Sequence, residues 1–533
     1  MFVLTAQQMR ALEAQEMAFG RQSGLALMER AGQAVTDAIW AQWPELTKGA
    51  HRALVLCGPG NNGGDGFVVA RLLAEQGWKT DVYHFGDAEK LPADAAENYA
   101  RFIKSNAVHP WSVKGISEIP PPDILVDAVF GIGLTRPLPR DVSEVLYGQS
   151  LPAWVRDGSV RRIAIDGPSG LNLDTGHVPG AENGQDLAFF SRADLTVTFH
   201  AAKPGHYLSA GPALCGVLVI ADIGLTDAPQ DQTGRVRVVS SCASDGNSPR
   251  WPLNLIAKSR YSGHKYDHGH VVVFSGGPGH GGAARLAARA ALRAGAGLVT
   301  ALCPPDALAE NTAALDAVMV RQLPAGSELT SVVDKRVTAL CLGPGMGTTV
   351  ETRERVLAAL GLGEARELVP AVVLDADALS VFEDSPEALF AHTHDRAILT
   401  PHGGEFGRLF PDLAADWRSG ASKIDVVRTA AARAGCVVLL KGPDTVIASP
   451  DGAASLHAAA YDRAAPWLAT AGAGDVLAGL IAGLAAPGTT ADLHPIAEAA
   501  VWLHVEAARA FGPGLIAEDL PEMLPGVFRA LEP

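Results

Sequence analysis

The chain has no Cys-x-x-Cys pair and no cysteine spacing that suits a metal finger. Its six cysteines (Cys57, Cys215, Cys242, Cys303, Cys341, Cys436) are scattered, several of them inside apolar runs. That usage excludes a disulfide or zinc scaffold and fits buried thiols in a reducing compartment. There is no basic surplus: 43 Lys and Arg against 58 Asp and Glu leave a formal charge of −15, which argues against a nucleic-acid partner. The segment Met1-Phe2-Val3-Leu4-Thr5 lacks the basic start and apolar core of a signal peptide, and no uninterrupted apolar run reaches membrane-spanning length. A cytoplasmic protein without a membrane partner is expected. No Gly-x-x-x-x-Gly-Lys-[Ser/Thr] occurs, so a P-loop enzyme is excluded. No fixed-period repeat occurs, so neither does a solenoid.

What is present is bulk and alternation. With 533 residues, 48% hydrophobic and 19% charged, the chain is too long for one core and supports two or three domains. Thr5 with Gln8 reads as a capping box that opens a helix through about Phe19. Short apolar runs then alternate with helical stretches, with strands expected at Ala53–Cys57, Thr80–His84, Ile124–Phe130, Arg162–Asp166, Leu195–Phe199 and Val217–Ala221. Such runs between helices indicate a parallel sheet covered on both faces. The pattern dissolves between Thr226 and Pro252 into Asp-Gln-Thr-Gly and Ser-Asp-Gly-Asn-Ser-Pro stretches, the best boundary candidate. It restarts with strands near Val271–Ser275, Leu298–Leu302, Ala339–Leu342, Ala371–Leu374, Ala397–Thr400, Val437–Leu440 and Val446–Ala448. Ala-rich helices are expected at Gly282–Ala294 and Ile496–Phe511. The expectation is two α/β domains, residues 1–225 and 253–533, joined by a linker over 226–252.

Each half carries a glycine-rich loop that ends in an aspartate. The first, Gly58 to Gly66, contains Asn61, Asn62, Gly63, Gly64 and Asp65 and follows the Ala53–Cys57 strand. Gly58-Pro59-Gly60-Asn61-Asn62-Gly63 satisfies the dinucleotide fingerprint, and Asp81 lies where a ribose-binding acid is wanted, so a nicotinamide-dependent dehydrogenase is one reading. Against it, the third glycine is followed by Gly64-Asp65-Gly66 instead of helix-packing residues, and Asp81 lies inside a strand. The asparagines and Asp65 read better as ligands projecting from the loop. Asp127, Asp166 and Ser169 stand at later strand ends, where open α/β sheets gather functional groups. Amide, hydroxyl and carboxylate oxygens suit a hard, weakly held cation; the bland alternative is that each is a turn former.

The second half offers Leu342 to Gly347, Asp375 to Leu379, Thr400 to Glu405 and Lys441 to Thr445, each after an apolar strand. Ala469-Thr470-Ala471-Gly472-Ala473-Gly474-Asp475 opens a helix. Orphan amides and the helix dipole favour an anion there. Lys441 could serve as a point charge for phosphate, and Gly442 lets the backbone approach it. Taken singly, Lys441 is also a solvated strand-end lysine, His402 a loop histidine, and Asp377 and Asp475 helix caps.

These segments carry a resemblance. The Asn-Asn-Gly-Gly-Asp loop, Asp127-x-x-Phe130-Gly131-x-Gly133 and Asp166-x-Pro168-Ser169-Gly170 occur in the order found in NAD(P)H-hydrate epimerase domains, a Rossmann-like three-layer α/β fold. The resemblance implies that Asn61, Asn62, Gly63, Gly64, Asp65, Gly131, Ile132, Gly133, Leu134, Thr135, Arg136, Pro137 and Asp166 contact the hydrated nucleotide. It also implies that Asn62, Asp127 and Ser169 bind potassium. Epimerisation needs a carboxylate at the nicotinamide end, and Asp166, which ends a buried strand beside Ser169, is the expected acid–base group, with Asp65 in reserve. Gly167 departs from the aliphatic residue usual in the family, which loosens the turn that holds Asp166.

Gly472-Ala473-Gly474-Asp475 before a helix resembles the anion hole and catalytic aspartate of ribokinase-like enzymes, and more narrowly the ADP-dependent NAD(P)H-hydrate dehydratases. That resemblance puts Ala283, Gly345, His402 and Asp475 at the hydrate. Lys441, Gly442, Pro443, Asp444, Thr445 and residues 465–474, among them Ala469, Thr470, Ala471, Gly472, Ala473 and Gly474, would face ADP with Mg²⁺. Pro443 removes one amide from that loop. The fusion resembles bifunctional nicotinamide nucleotide repair enzymes acting on NADHX and NADPHX, and a homo-oligomer is expected. The alternative is a C-terminal vitamin or sugar kinase with an N-terminal nucleotide-binding module.

Overall fold

The computed structural model describes residues 1–147, 159–181, 192–225, 234–239, 263–362, 369–488 and 492–531, together with Trp154, Leu255 and Lys258. The chain divides into two compact units, Phe2–Arg235 and Val236–Pro533, the latter with Met1. Most of the expected linker 226–252 lies outside the described residues, but Val236–Val238 within it is a strand.

The first unit is built on a parallel seven-stranded sheet of β1 (Arg52–Cys57), β2 (Lys79–His84), β3 (Val108–Pro110), β4 (Ile124–Ala128), β5 (Arg161–Ile165), β6 (Leu195–Phe199) and β7 (Val217–Ala221). Their order is β3-β2-β1-β4-β5-β6-β7. The order reverses between β1 and β4, and such reversals open a crevice at the carboxyl ends of the strands. Helices α1 (Ala6–Ala18), α2 (Gly24–Gln42) and α3 (Asn61–Glu75) belong to this unit. The Thr5 capping box is formed: Thr5 Oγ1 accepts from Gln8 N at 3.2 Å, and Gln8 Oε1 accepts from Thr5 N at 2.9 Å. Inward residues of alternating strand faces feed two cores. Val55 and Val126 pack with Phe67 of α3, whereas Leu54 and Leu56 pack with Val142 and Trp154, so the sheet is the middle of three layers.

The second unit contains β8 (Val236–Val238), β9 (His270–Phe274), β10 (Leu298–Cys303), β11 (Met319–Gln322), β12 (Ala339–Leu342), β13 (Ala371–Leu374), β14 (Ala397–Leu399), β15 (Val437–Leu440), β16 (Asp444–Ala448) and β17 (Ala454–Ala458). Their order is β8-β17-β16-β15-β14-β13-β12-β9-β10-β11. Helices α4 (Gly282–Arg293), α5 (Gly403–Leu409), α6 (Ala473–Ala485) and α7 (His494–Phe511) pack around it. Strands β9 to β15 are parallel, but β15, β16 and β17 run antiparallel. The sheet turns antiparallel at this edge because Lys441–Pro443 alone join β15 to β16, too short a link for a crossover. Helix α6 packs tightly on α4. A Cβ on Gly479 would lie 2.6 Å from Ala287 Cα, so close approach requires glycine there. This contact fixes the α6 N-terminus, and Asp475 with it, against the strand ends.

Candidate active sites

In the first unit, Asp127 closes β4 and is buried. Its Oδ1 accepts from Ser169 Oγ at 2.6 Å and Val129 N at 3.2 Å, and its Oδ2 accepts from Ser169 N at 2.8 Å. Burial raises its pKa above the ordinary carboxylate value, against these hydrogen bonds. Asn62 lies in the first turn of α3, and both polar atoms of its amide are buried without a hydrogen-bond partner. A Cβ on Gly131 would lie 2.8 Å from Asn62 Oδ1 and 3.0 Å from Asp166 Oδ2, so these two oxygens converge on the Gly131 backbone.

Asp166 follows β5 with φ 62°, a left-handed conformation that costs a non-glycine residue about 1–3 kcal/mol unless its surroundings enforce it. They do. Asp166 Oδ1 accepts from Lys203 Nζ at 3.2 Å and Thr198 Oγ1 at 3.2 Å, and its carbonyl oxygen lies 2.7 Å from His206 Nε2. Gly167 does not loosen the turn by leaving empty space. A Cβ there would lie 2.5 Å from Leu173 Cδ2, so the leucine occupies the room an aliphatic residue would take.

Asn61, Asn62, Asp65, the loop from Gly131 to Arg136 and Asp166 line one cavity of about 690 Å³, joined by Arg10 and Glu13 from α1. Gly63, Gly64 and Pro137 are not on its wall. Gly64 packs on Met28 and Ala95, and Gly180 packs on Pro137. Burial, with Asp166 and Glu13 nearby, holds Asp65 far above the usual carboxylate range. Burial and Asp166 likewise raise Glu13, while Lys203 and Arg10 oppose the shift. The cavity thus brings Glu13, Asp65 and Asp166 together, with Lys203 behind Asp166.

In the second unit, Lys441 ends β15 and its Nζ lies 2.5 Å from Asp375 Oδ1, at the end of β13. A Cβ on Gly474 would lie 3.3 Å from Lys441 Nζ and 3.9 Å from Asp375 Oδ2, so this ion pair stands over the first turn of α6. Burial works against the charge on Lys441, yet Asp375 and Glu405 hold its pKa above the ordinary value. Asp475 sits in that same turn. The N-cap is Gly472, with φ 89° and no side-chain capping bond, and the Asp475 carboxylate has no hydrogen-bond donor among the described residues. Burial and Asp375 raise its pKa to about 6, partly offset by Lys441. A base poised near neutrality in the first turn of a helix suits proton abstraction from a hydroxyl that is receiving phosphate.

Ala283 and Gly345 are neighbours: a Cβ on Gly345 would lie 3.8 Å from Ala283 Cβ. His402 is an N-cap; its Nδ1 accepts from Gly404 N at 2.9 Å, and Glu405 Oε2 accepts from His402 N at 2.8 Å. The side chain is 56% exposed, with Nε2 3.4 Å from Glu405 Oε1. Asp444 is buried and turned inward, where its Oδ1 meets Lys423 Nζ at 2.7 Å. Pro443, short of an amide, offers its carbonyl to Ala459 N at 2.7 Å, and Thr445 Oγ1 donates to Gly442 O at 2.9 Å. A cavity of about 440 Å³ opens at the ends of β9 and β10; Met346 of the Leu342–Gly347 segment lines it, but Ala283, Gly345, His402, Lys441 and Asp475 do not. Ala469, Thr470 and Ala471 lead into α6 through a turn.

Residues 24–205 match the family described as YjeF-related protein N-terminus, and residues 271–523 match the family described as NAD(P)H-hydrate dehydratase. The bifunctional NAD(P)H-hydrate repair enzyme Nnr of Moorella thermoacetica is 34% identical, covering 100% of this chain and 97% of that protein. The chain belongs to this family. Nnr of Gloeobacter violaceus is 36% identical over 94% of this chain and 92% of its own, and that of Coxiella burnetii 32% over 93% of each.

Sequence reasoning on this repair-enzyme chain missed Lys203, Thr198, His206 and Glu13, and it gave Asp375 and Glu405 no role. A lysine directly after the apolar strand β6, in Ala201-Ala202-Lys203-Pro204-Gly205, was the available signal. Nothing local marked Glu13.

Proposed function

We infer that the Phe2–Arg235 unit interconverts the epimers of hydrated NADH and NADPH, and that the Val236–Pro533 unit dehydrates the S epimer with ADP, releasing AMP and phosphate. The observation that carries this reading is Asp475: a carboxylate near its titration point, without a capping bond, beside Lys441 and bare helix amides. The hydroxyl of the hydrate loses its proton to Asp475 as the phosphoryl group arrives, and the ester then leaves with restoration of the dihydropyridine ring. Lys441 and the loop amides hold the phosphates. Mg²⁺, when bound with the nucleotide, would offset phosphate charge, with Asp377 near Asp475 as an oxygen donor.

In the epimerase unit the orphaned Asn62 amide fits a cation, and Asn62, Asp127 and Ser169 would hold potassium through oxygen alone. That ion would anchor the loop against which the hydrate lies; Asp166 stands at the nicotinamide end as the charged group. A cytoplasmic location belongs to the same reading, supported by the free buried thiols Cys57, Cys215, Cys303, Cys341 and Cys436. So does homo-oligomeric assembly, which size-exclusion chromatography tests. Among the described residues no helix is long and apolar enough to cross a membrane.

The test of function is incubation of the purified protein with the epimeric hydrates and ADP. Recovery of NADH absorbance from both epimers, with AMP and phosphate formed, is the expected result. A stable phosphorylated product would instead support a vitamin or sugar kinase.

A further inference from the structure

Asp166 is a committed group. Its Oδ1 is taken by Lys203 and Thr198, so the carboxyl is held in place against a cation. A second carboxyl lines the same cavity from a different element. Glu13 lies on α1, whose position is set at three places: the Thr5 capping box, Ala6 N donating to Asp174 Oδ1 at 2.6 Å, and Arg10 Nη2 donating to Ile132 O at 3.1 Å. Arg10 precedes Glu13 by one helical turn, so the two share a face, and that face meets the loop that begins at Gly131. The Glu13 carboxyl has no hydrogen-bond partner among the described residues. Asp65 is set deeper, 8% exposed and next to Cys57.

On the epimerase reading, we propose that Glu13 is the catalytic acid–base residue at the hydroxyl-bearing carbon of the hydrate, with Asp166 as the fixed counter-charge. The Glu13 carboxylic acid gives its proton to the ring hydroxyl. The carbon–oxygen bond breaks with its electron pair going to oxygen, and water departs. The ring nitrogen's lone pair forms the carbon–nitrogen double bond of an iminium cation, which the Asp166 carboxylate stabilises. Water re-adds to either face and returns its proton to Glu13. No oxidant, reductant or further reactant is consumed.

The groups that face Glu13 are Asp166 from the turn after β5, Lys203 from the segment after β6, Asp65 from α3 and Arg10 from its own helix, with Arg136 on the cavity wall. Burial, and then Asp166, keep the Glu13 proton to higher pH than an ordinary glutamate holds it, against Lys203 and Arg10, as an acid that must donate near neutrality requires.

The experiment follows a purified single epimer in ¹⁸O-labelled water, using the full chain and omitting ADP. The wild type should equilibrate the epimers and place ¹⁸O at the ring hydroxyl. Glu13→Gln should lower kcat by ~10²–10⁴ with label uptake falling in parallel, while KM and the potassium requirement stay close to wild type. Glu13→Asp should recover part of the rate, and the alkaline fall of kcat/KM should vanish in Glu13→Gln. Unchanged dehydration of the S epimer on adding ADP reports that the chain is folded. Near-wild-type kcat in Glu13→Gln, or wild-type product without ¹⁸O, overturns the proposal. A wild-type chain that equilibrates no epimers refutes the epimerase reading itself.

Discussion

Asp475→Asn separates a catalytic base from a structural helix cap, because the two roles predict opposite signs for stability. The folded pKa of about 6 lies above the unfolded value of 3.8. Below the unfolded value both states carry the proton, and the carboxyl has no pH-linked effect. Between the two values the unfolded chain ionises first and gains stability relative to the fold. Above about 6 the whole difference stands against folding, at most about 3 kcal/mol and roughly 1–3 kcal/mol after allowance for solvent contact. Asparagine keeps the size without the charge. The variant should therefore melt a few degrees higher at about pH 7.5, and the gain should disappear near pH 4. Turnover should move the other way: at pH 7 about nine-tenths of Asp475 is ionised and able to accept a proton, so its loss should lower kcat by ~10²–10⁴, or about 3–5 kcal/mol of barrier. ADP affinity should change little, since Lys441 and the amides remain. Steady-state dehydratase kinetics and thermal melts across pH, on one preparation, make the measurement. Retained activity with a lowered melting temperature would refute the reasoning, because that is what the loss of a cap gives.

Three further outcomes are expected. Asp166→Asn should abolish epimerisation, leaving S-epimer dehydration unchanged, which paired assays of the two half-reactions check; loss of both would mean misfolding. Asp127→Ala removes the carboxylate that orients Ser169, and the potassium concentration for half-maximal epimerase activity should rise by more than about tenfold, read from a potassium titration. Gly131→Ala puts a methyl group 2.8 Å from Asn62 Oδ1 and 3.0 Å from Asp166 Oδ2, so epimerase kcat/KM should fall about ten- to a hundredfold, with an unchanged circular dichroism spectrum.

The strands that build both sites were legible because parallel strands covered on both faces read as apolar runs: β4, β6 and β9 are buried along their whole length. The short strands β3 and β11, mostly exposed and polar, give no such run and went unseen, as did β17, whose hairpin pairing depends on its partner. Glycine-aspartate punctuation marked Asn62, Asp65 and Asp475, since backbone geometry demands particular residues there. Lys203 and Glu13 are different. Each acts by where the fold carries an ordinary side chain, and α1 differs in no local respect from a surface helix. His402 is an N-cap: with the glutamate three positions on it forms a capping box, a pattern present in the sequence all along.

Both sites hold more carboxylates than cations, and this imbalance has a chemical consequence. In the first, Lys203 is within hydrogen-bond distance of Asp166 and opposes the shift of Glu13 only in part, so burial leaves Glu13 and Asp65 with raised pKa values. In the second, Lys441 closes on Asp375 at 2.5 Å and offsets Asp475 only in part, leaving that carboxyl near neutrality. A lysine placed to neutralise every carboxylate would leave no group able to exchange a proton at pH 7. Placing it against one partner fixes an anion and at the same time frees a neighbour to titrate. The two units share no sequence repeat and differ in strand order, yet each sets one lysine against one carboxylate in this way. The pairing of one locked carboxylate with one poised carboxylate therefore follows from the demand for proton transfer within a polar, phosphate-binding cleft and not from the fold.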